Sequence, residues 1–160
     1  CARENGKLRY DWPRGDVFAQ KAIVKFNYKT GGLEKFQEAA EKYGVIALFE
    51  DVLPAGVHVI DVSIDSTLDS STGMENPNAR TLLVNPDFLK DQPLNFVASG
   101  IGHELVHVND HLRDVINVYD AASVRASERR AYMWQRTNSR HFNLGVQYKV
   151  WFTQQINKHR

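Results

Sequence analysis

Residues 103–107 read His-Glu-Leu-Val-His. Two imidazoles four residues apart on a helix stand one above the other and can share a metal ion. A glutamate beside the first is placed to take a proton from a water that the metal activates. This HExxH pattern is the one segment of the chain that names a chemistry. So short a pattern also arises by chance, so the elements around it have to support it.

The flanking sequence supports it. From Leu94, the apolar residues Leu94, Val97, Ala98, Ile101, Leu105, Val108, Leu112 and Val115 recur in steps of three and four and form one helical stripe. His103 and His107 share a face that also carries Phe96, Gly100, Asp110 and Asp114. His103 lies opposite Ile101, Leu105 and Leu112. The stripe predicts a helix anchored in a core, with both histidines turned away from it towards a cleft.

A catalytic zinc needs a third protein ligand and one open position. Three residues compete. His111 is two turns beyond His103 and rotated from it by roughly 80 degrees on an ideal helix. Asp110 faces correctly, but its reach suits a hydrogen bond to His107 better than a metal bond. Glu128 falls on a second predicted helix, capped by Asp120 or Ser123 and running to about Gln135. Its neighbours on that helical face are Ala121, Val124, Ala131 and Tyr132. A carboxylate there is costly unless paired or metal-bound. A salt bridge to Arg125, Arg129 or Arg130 is the simpler alternative, and the ligand role is preferred. A glycine-turned third histidine, as in metzincins, is excluded. Val108-Asn109-Asp110 continues the helix, and Arg113 stands at the distal position.

The elements that must position this helix lie earlier in the chain. Residues 1–20 are polar and turn-rich and read as an extended N-terminal segment. Lys21–Tyr28 reads as a strand, broken by Gly31-Gly32. Leu33–Tyr43 has helical spacing and is closed by Gly44. Val57–Ile64 reads as a strand from Val57, Val59, Val62 and Ile64. Residues 65–80 read as a polar loop, either a lid or a hairpin connection. Arg80–Val84 is a short strand closed by Asn85-Pro86, and everything after Leu94 looks helical. The expected fold is α+β: a small N-terminal mixed or antiparallel sheet with an edge strand, over a C-terminal helical part carrying the HExxH helix and a glutamate helix. The 160 residues, 42% hydrophobic, suit one domain over 1–160.

Bulk properties narrow the partners. The longest apolar run, Val45–Phe49, is too short for a transmembrane segment. A net charge of +1 argues against nucleic acid as a partner. Residues 121–160 carry eight Lys/Arg and one acid, Glu128. This reads as solvated helix surface rather than a steering patch. Cys1 is the single cysteine, so no internal disulfide can form. Its position suits the boundary of an excised piece or the lipid-modified first residue of a bacterial lipoprotein, and the boundary is preferred.

His103-Glu104-x-x-His107 followed by Glu128-Arg129-Arg130-Ala131 resembles the gluzincin zinc metallopeptidases, most closely compact bacterial members that include secreted effector and toxin proteases. The resemblance covers roughly residues 80–135. It implies one Zn²⁺ held by His103, His107 and Glu128, with Glu104 as general base. It implies peptide-bond hydrolysis of a protein or peptide substrate, a secreted or periplasmic setting, and an immunity or inhibitor protein as a further partner. It also implies that Arg80–Val84 is an edge strand aligning substrate. One departure is Tyr132, where larger members place an acid that supports a histidine ligand; Asp110 or Asp114 could take that part. For stabilising the oxyanion, His141 and Tyr148 are preferred over Tyr132 and Arg140, because they lie beyond the glutamate helix and can fold back over a cleft. His58 and His159 read as ordinary surface or strand residues. Two alternatives stay open: a peptidoglycan-peptide hydrolase using the same zinc, and a non-catalytic module with structural zinc closed by His111 or Asp110.

Overall fold

The computed structural model describes residues 21–160, and the polar segment 1–20 with Cys1 lies outside the described residues. Four strands form one mixed sheet: β1 (Ala22–Tyr28), β2 (Gly56–Ile64), β3 (Met74–Asn78) and β4 (Thr81–Val84). Their spatial order is β1-β2-β4-β3, with β2 parallel to both β1 and β4, and β3 antiparallel to β4. Five helices accompany the sheet: α1 (Glu34–Lys42), α2 (Pro86–Asp91), α3 (Leu94–Leu112), α4 (Ala121–Thr137) and α5 (Val146–Lys158). The fold is α+β, as the periodicities predict. Among the described residues no helix is long and apolar enough to cross a membrane.

The sheet buries one face. On β1, Ala22 and Val24 are buried while Ile23 and Lys25 are exposed, the period-two alternation of a half-covered strand. On β2 the same alternation buries Ile60 and Val62 and leaves Val57 and Val59 exposed. The buried face therefore runs through Ile60, not through Val57 and Val59. Helix α1 packs on this face: Phe36 is fully buried and meets the rings of Phe26 and Tyr28 edge-on. Gly44 ends α1 at φ +58, the left-handed position expected of it.

The expected edge strand is displaced by one element. β4 is interior, hydrogen-bonded on both sides, and the edge is β3, inside the stretch read as a loop. Its sequence, Met-Glu-Asn-Pro-Asn, has turn composition. Pairing with β4 makes it a strand, and the register shift between Glu75 and Asn78 brackets Pro77. Proline is tolerated at such an edge because its missing N–H costs no interior ladder bond.

Helix α3 runs through the centre of the core. Val97, Ala98, Ile101, Leu105 and Val108 are fully buried, as the stripe predicts. The stripe stops short of its expected end. Arg113 caps the helix, Asp114 takes φ +58, and Val115 is exposed. Helix α4 begins at Asp120, whose side chain accepts from the Ala122 amide at 3.1 Å. It packs on α3 through Ser127, Ala131 and Gln135, a buried row with two small members. The Trp134 ring meanwhile lies over Gly102. A Cβ on Gly102 would stand 2.1 Å from Trp134 Cη2, so only glycine permits this approach.

That contact generates a prediction. Gly102→Ala should lower stability by about 1–3 kcal/mol, the usual range for overpacking a core, and Trp134→Leu in the same chain should recover part of it. Urea denaturation checks this. An unchanged midpoint for Gly102→Ala would show that the helices do not approach so closely.

Candidate metal centre

Helix α3 supplies His103, Glu104 and His107, and helix α4 supplies Glu128. The i, i+4 spacing stacks the two imidazoles with ring centroids 4.8 Å apart. Their Nε2 atoms lie 3.1 Å from each other. Glu128 Oε1 is 3.2 Å from His103 Nε2 and in closer contact still with His107 Nε2. These three residues form a group able to hold a metal ion. Among the described residues, neither His111 nor Asp110 joins it.

The electrostatics of the cluster call for a positive charge at its centre. The histidines are 8% and 9% exposed, so solvent screens them little. Burial opposes protonation of His103, but the hydrogen bond and charge of Glu128 and the charge of Glu104 outweigh it and raise its pKa. Burial likewise works against the Glu128 carboxylate, yet hydrogen bonds and charge from both histidines hold it well below the usual range. Two imidazole nitrogens and a carboxylate oxygen this close are stable only around a proton or a cation. A tetrahedral metal that favours nitrogen and oxygen donors fits the set.

Glu104 lies beside the donors, its Oε2 3.8 Å from His103 Nε2. Burial raises its pKa, with the neighbouring histidines opposing. The direction suits a group that takes a proton from water.

The donors open onto a cleft of about 1110 Å³. One side is the edge strand, through Met74, Glu75 and Asn76; another is aromatic, through Phe96, Tyr148 and Trp151. Tyr148 stacks on Phe96 at 5.3 Å and lines this cleft, as the sequence suggests. His141 does not reach it. Its Nε2 lies 2.6 Å from the Tyr43 carbonyl oxygen, so the ring tethers the end of α1 instead. Arg140 is exposed and outside the lining residues. Tyr132 lies against the donors, its ring edge-on to His103 with centroids 4.6 Å apart. Burial, and then the Glu128 and Glu104 charges, raise the Tyr132 pKa, so the phenol keeps its proton.

The remaining candidates are also placed. Asp110 does not bond His107 directly, because Ser127 stands between them. Asp110 pairs with Arg130 at 2.9 Å and Arg129 donates to the His159 carbonyl, so two of the three arginines considered for Glu128 are engaged elsewhere, and the ion pairs of Glu128 are with His103 and His107. Asp114 is exposed at the end of α3. His111 lines the cleft rim, and burial lowers its pKa. His58 bonds the Pro54 carbonyl and His159 the Gln155 carbonyl, both remote from the donors in bonding. Ser99, Ser127 and Gln135, which bond around the histidines, had no sequence signal beyond being polar residues within helices.

The charge balance predicts opposite pH trends with and without metal. Between pH 6 and 8, roughly the histidine titration range, metal-free protein should lose stability as pH rises. The His103 contribution is fully present below its ordinary value of 6.5 and is lost as pH climbs through the raised folded value. The raised pKa of Glu104 acts in the same direction. The depressed pKa of Glu128 contributes stability throughout this window without changing across it, and that contribution is lost only as pH falls below the ordinary value of 4.5. Added Zn²⁺ should stabilise by about 2.7 kcal/mol at a free concentration 100-fold above Kd, and one fixed zinc concentration should stabilise more at pH 8 than at pH 6, because the ligand imidazoles must be neutral and Kd rises as they protonate. Thermal melts at both pH values check this, and a larger metal effect at pH 6 would exclude imidazole ligation. No protein-family model matches the chain, and neither curated proteins nor solved structures give a match to it.

Proposed function

We propose that the protein is a zinc metallopeptidase of gluzincin type that hydrolyses peptide bonds in a protein or peptide substrate. One observation carries the reading: His103, His107 and Glu128 converge from two helices on one point in the wall of a large cleft, with Glu104 beside them. A structural zinc site is closed by four protein ligands. Three donors facing a cleft therefore favour catalysis over a purely structural ion.

His103, His107 and Glu128 would hold the zinc, which supplies Lewis acidity to a water and to the substrate carbonyl. Glu104 takes the proton of the attacking water and delivers it to the leaving amine nitrogen. Its burial supports the first half of this cycle, since a raised pKa makes the carboxylate a stronger base towards the water. The Tyr132 hydroxyl, kept protonated, is the donor best placed for the developing oxyanion, and Tyr148 belongs to the aromatic wall that packs substrate. β3 is the edge strand and lines the same cleft through Met74, Glu75 and Asn76, which supports an extended substrate adding to the sheet there through main-chain hydrogen bonds.

Several outcomes follow from these roles. Glu104→Ala and exhaustive chelation should each abolish cleavage, and Glu104→Ala should still bind Zn²⁺. Tyr132→Phe should lower kcat by about 10²–10³-fold with little change in KM, while His141→Ala should leave both unchanged. N-terminal labelling of a lysate treated with wild type or Glu104→Ala checks the reaction and finds the substrate. Cleavage that survives chelation overturns the reading. Release of peptides from isolated cell-wall sacculi, with no new protein termini, moves the substrate to peptidoglycan.

A further inference from the structure

Each histidine of the metal group uses its second nitrogen in a buried chain of hydrogen bonds, and the polarity of each chain is set at its far end. On one side the Ser99 hydroxyl donates to the Phe96 carbonyl at 2.9 Å. Its one proton is committed there, so its oxygen accepts from the Gln135 amide NH₂ at 3.1 Å. Gln135 therefore presents its carbonyl oxygen to His103 Nδ1, 2.8 Å away. An amide oxygen only accepts, so Nδ1 carries the proton.

On the other side, Asp110 Oδ2 accepts from Arg130 Nε and Nη2 at 3.1 and 2.9 Å. It also accepts from the Ser127 hydroxyl at 2.7 Å. With that proton committed to a carboxylate, the Ser127 oxygen accepts from His107 Nδ1 at 2.7 Å. Both chains thus reach the same result by different chemistry, one ending on a backbone carbonyl and one on an ion pair. A neutral imidazole carries one proton. With Nδ1 protonated in both rings, both Nε2 atoms present lone pairs to the point that Glu128 also faces.

We infer that Gln135 and Ser127 are positioning residues that hold both imidazoles in the Nδ1–H tautomer and so determine the metal affinity of the centre. The inference rests on the metal group of the proposed peptidase and extends it to residues that touch neither metal nor substrate. Ser99 and Ser127 are fully buried and Gln135 is 2% exposed, so water cannot replace them as partners.

The test is titration of the full chain with Zn²⁺ alone against a chromophoric chelator, with far-UV circular dichroism to verify folding. Ser127→Ala and Gln135→Met should each weaken Zn²⁺ about 10- to 100-fold, the range for lost partners of ligand histidines. Gln135→Glu keeps an oxygen facing Nδ1 and should hold the affinity at or above that of wild type. Equal losses in Gln135→Met and Gln135→Glu would overturn the inference. Long-range ¹H–¹⁵N NMR of zinc-loaded wild type reads the tautomer without any variant. Nδ1–H with metal-bound Nε2 in both rings is the expected result, and Nδ1 ligation in either overturns the inference. These readouts separate the two proposals. Zinc held by Nε2 in a protein that cleaves no peptide overturns the peptidase alone, and cleavage with Nδ1 ligation overturns only the positioning roles.

Discussion

The close approach of α3 and α4 is the constraint on which the rest depends. Glu128 meets histidines of another helix only because the two axes come near each other, and Trp134 over Gly102 is the tightest point of that approach. Ser127 and Ala131 are small and fully buried between the helices. A larger side chain at any of these places would part the helices and separate the carboxylate from the imidazoles. Interiors pack too densely to absorb such a change locally.

The same approach accounts for the electrostatics. Burial alone would drive the histidines neutral and the carboxylates protonated. Packing the helices together puts the groups within reach of one another, and mutual stabilisation then exceeds the burial penalty at His103 and Glu128. At Glu104 burial prevails. Two carboxylates in one small volume thus have opposite tendencies, a separation suited to one ligand and one proton carrier.

The parts legible in the sequence are those whose signal is local. The spacing of His103 and His107, the stripe through Ile101 and Leu105, and the turn at Gly44 depend on a few neighbouring residues. Glu128 stood out as the one acid in a basic stretch, on a largely apolar helical face. What depends on distant partners carries no local signal. Met74–Asn78 is a strand because β4 lies beside it, and nothing within Met-Glu-Asn-Pro-Asn says so. The helical wheel turned the histidines towards an open cleft, but it cannot show that α4 covers them. Ser127 and Gln135 look like ordinary surface residues until α3 supplies their hydrogen-bond partners. The place of His141 beyond the glutamate helix carries no information on the direction of its ring, which turns to the Tyr43 carbonyl.

The ligands also have a consequence for the chain as a polymer. His103 and Glu128 are 25 positions apart, and the turn between α3 and α4 lies within that interval. A metal joining them closes a loop of moderate length, as a disulfide between the same positions would. Such a cross-link restricts the unfolded chain by an amount worth about 3.5 kcal/mol in the loop-entropy description. With Cys1 as its single cysteine, the chain has no internal disulfide to do this. The metal centre would then be a reversible staple as well as a site of chemistry, and the supply of metal ions would govern how long each folded molecule survives.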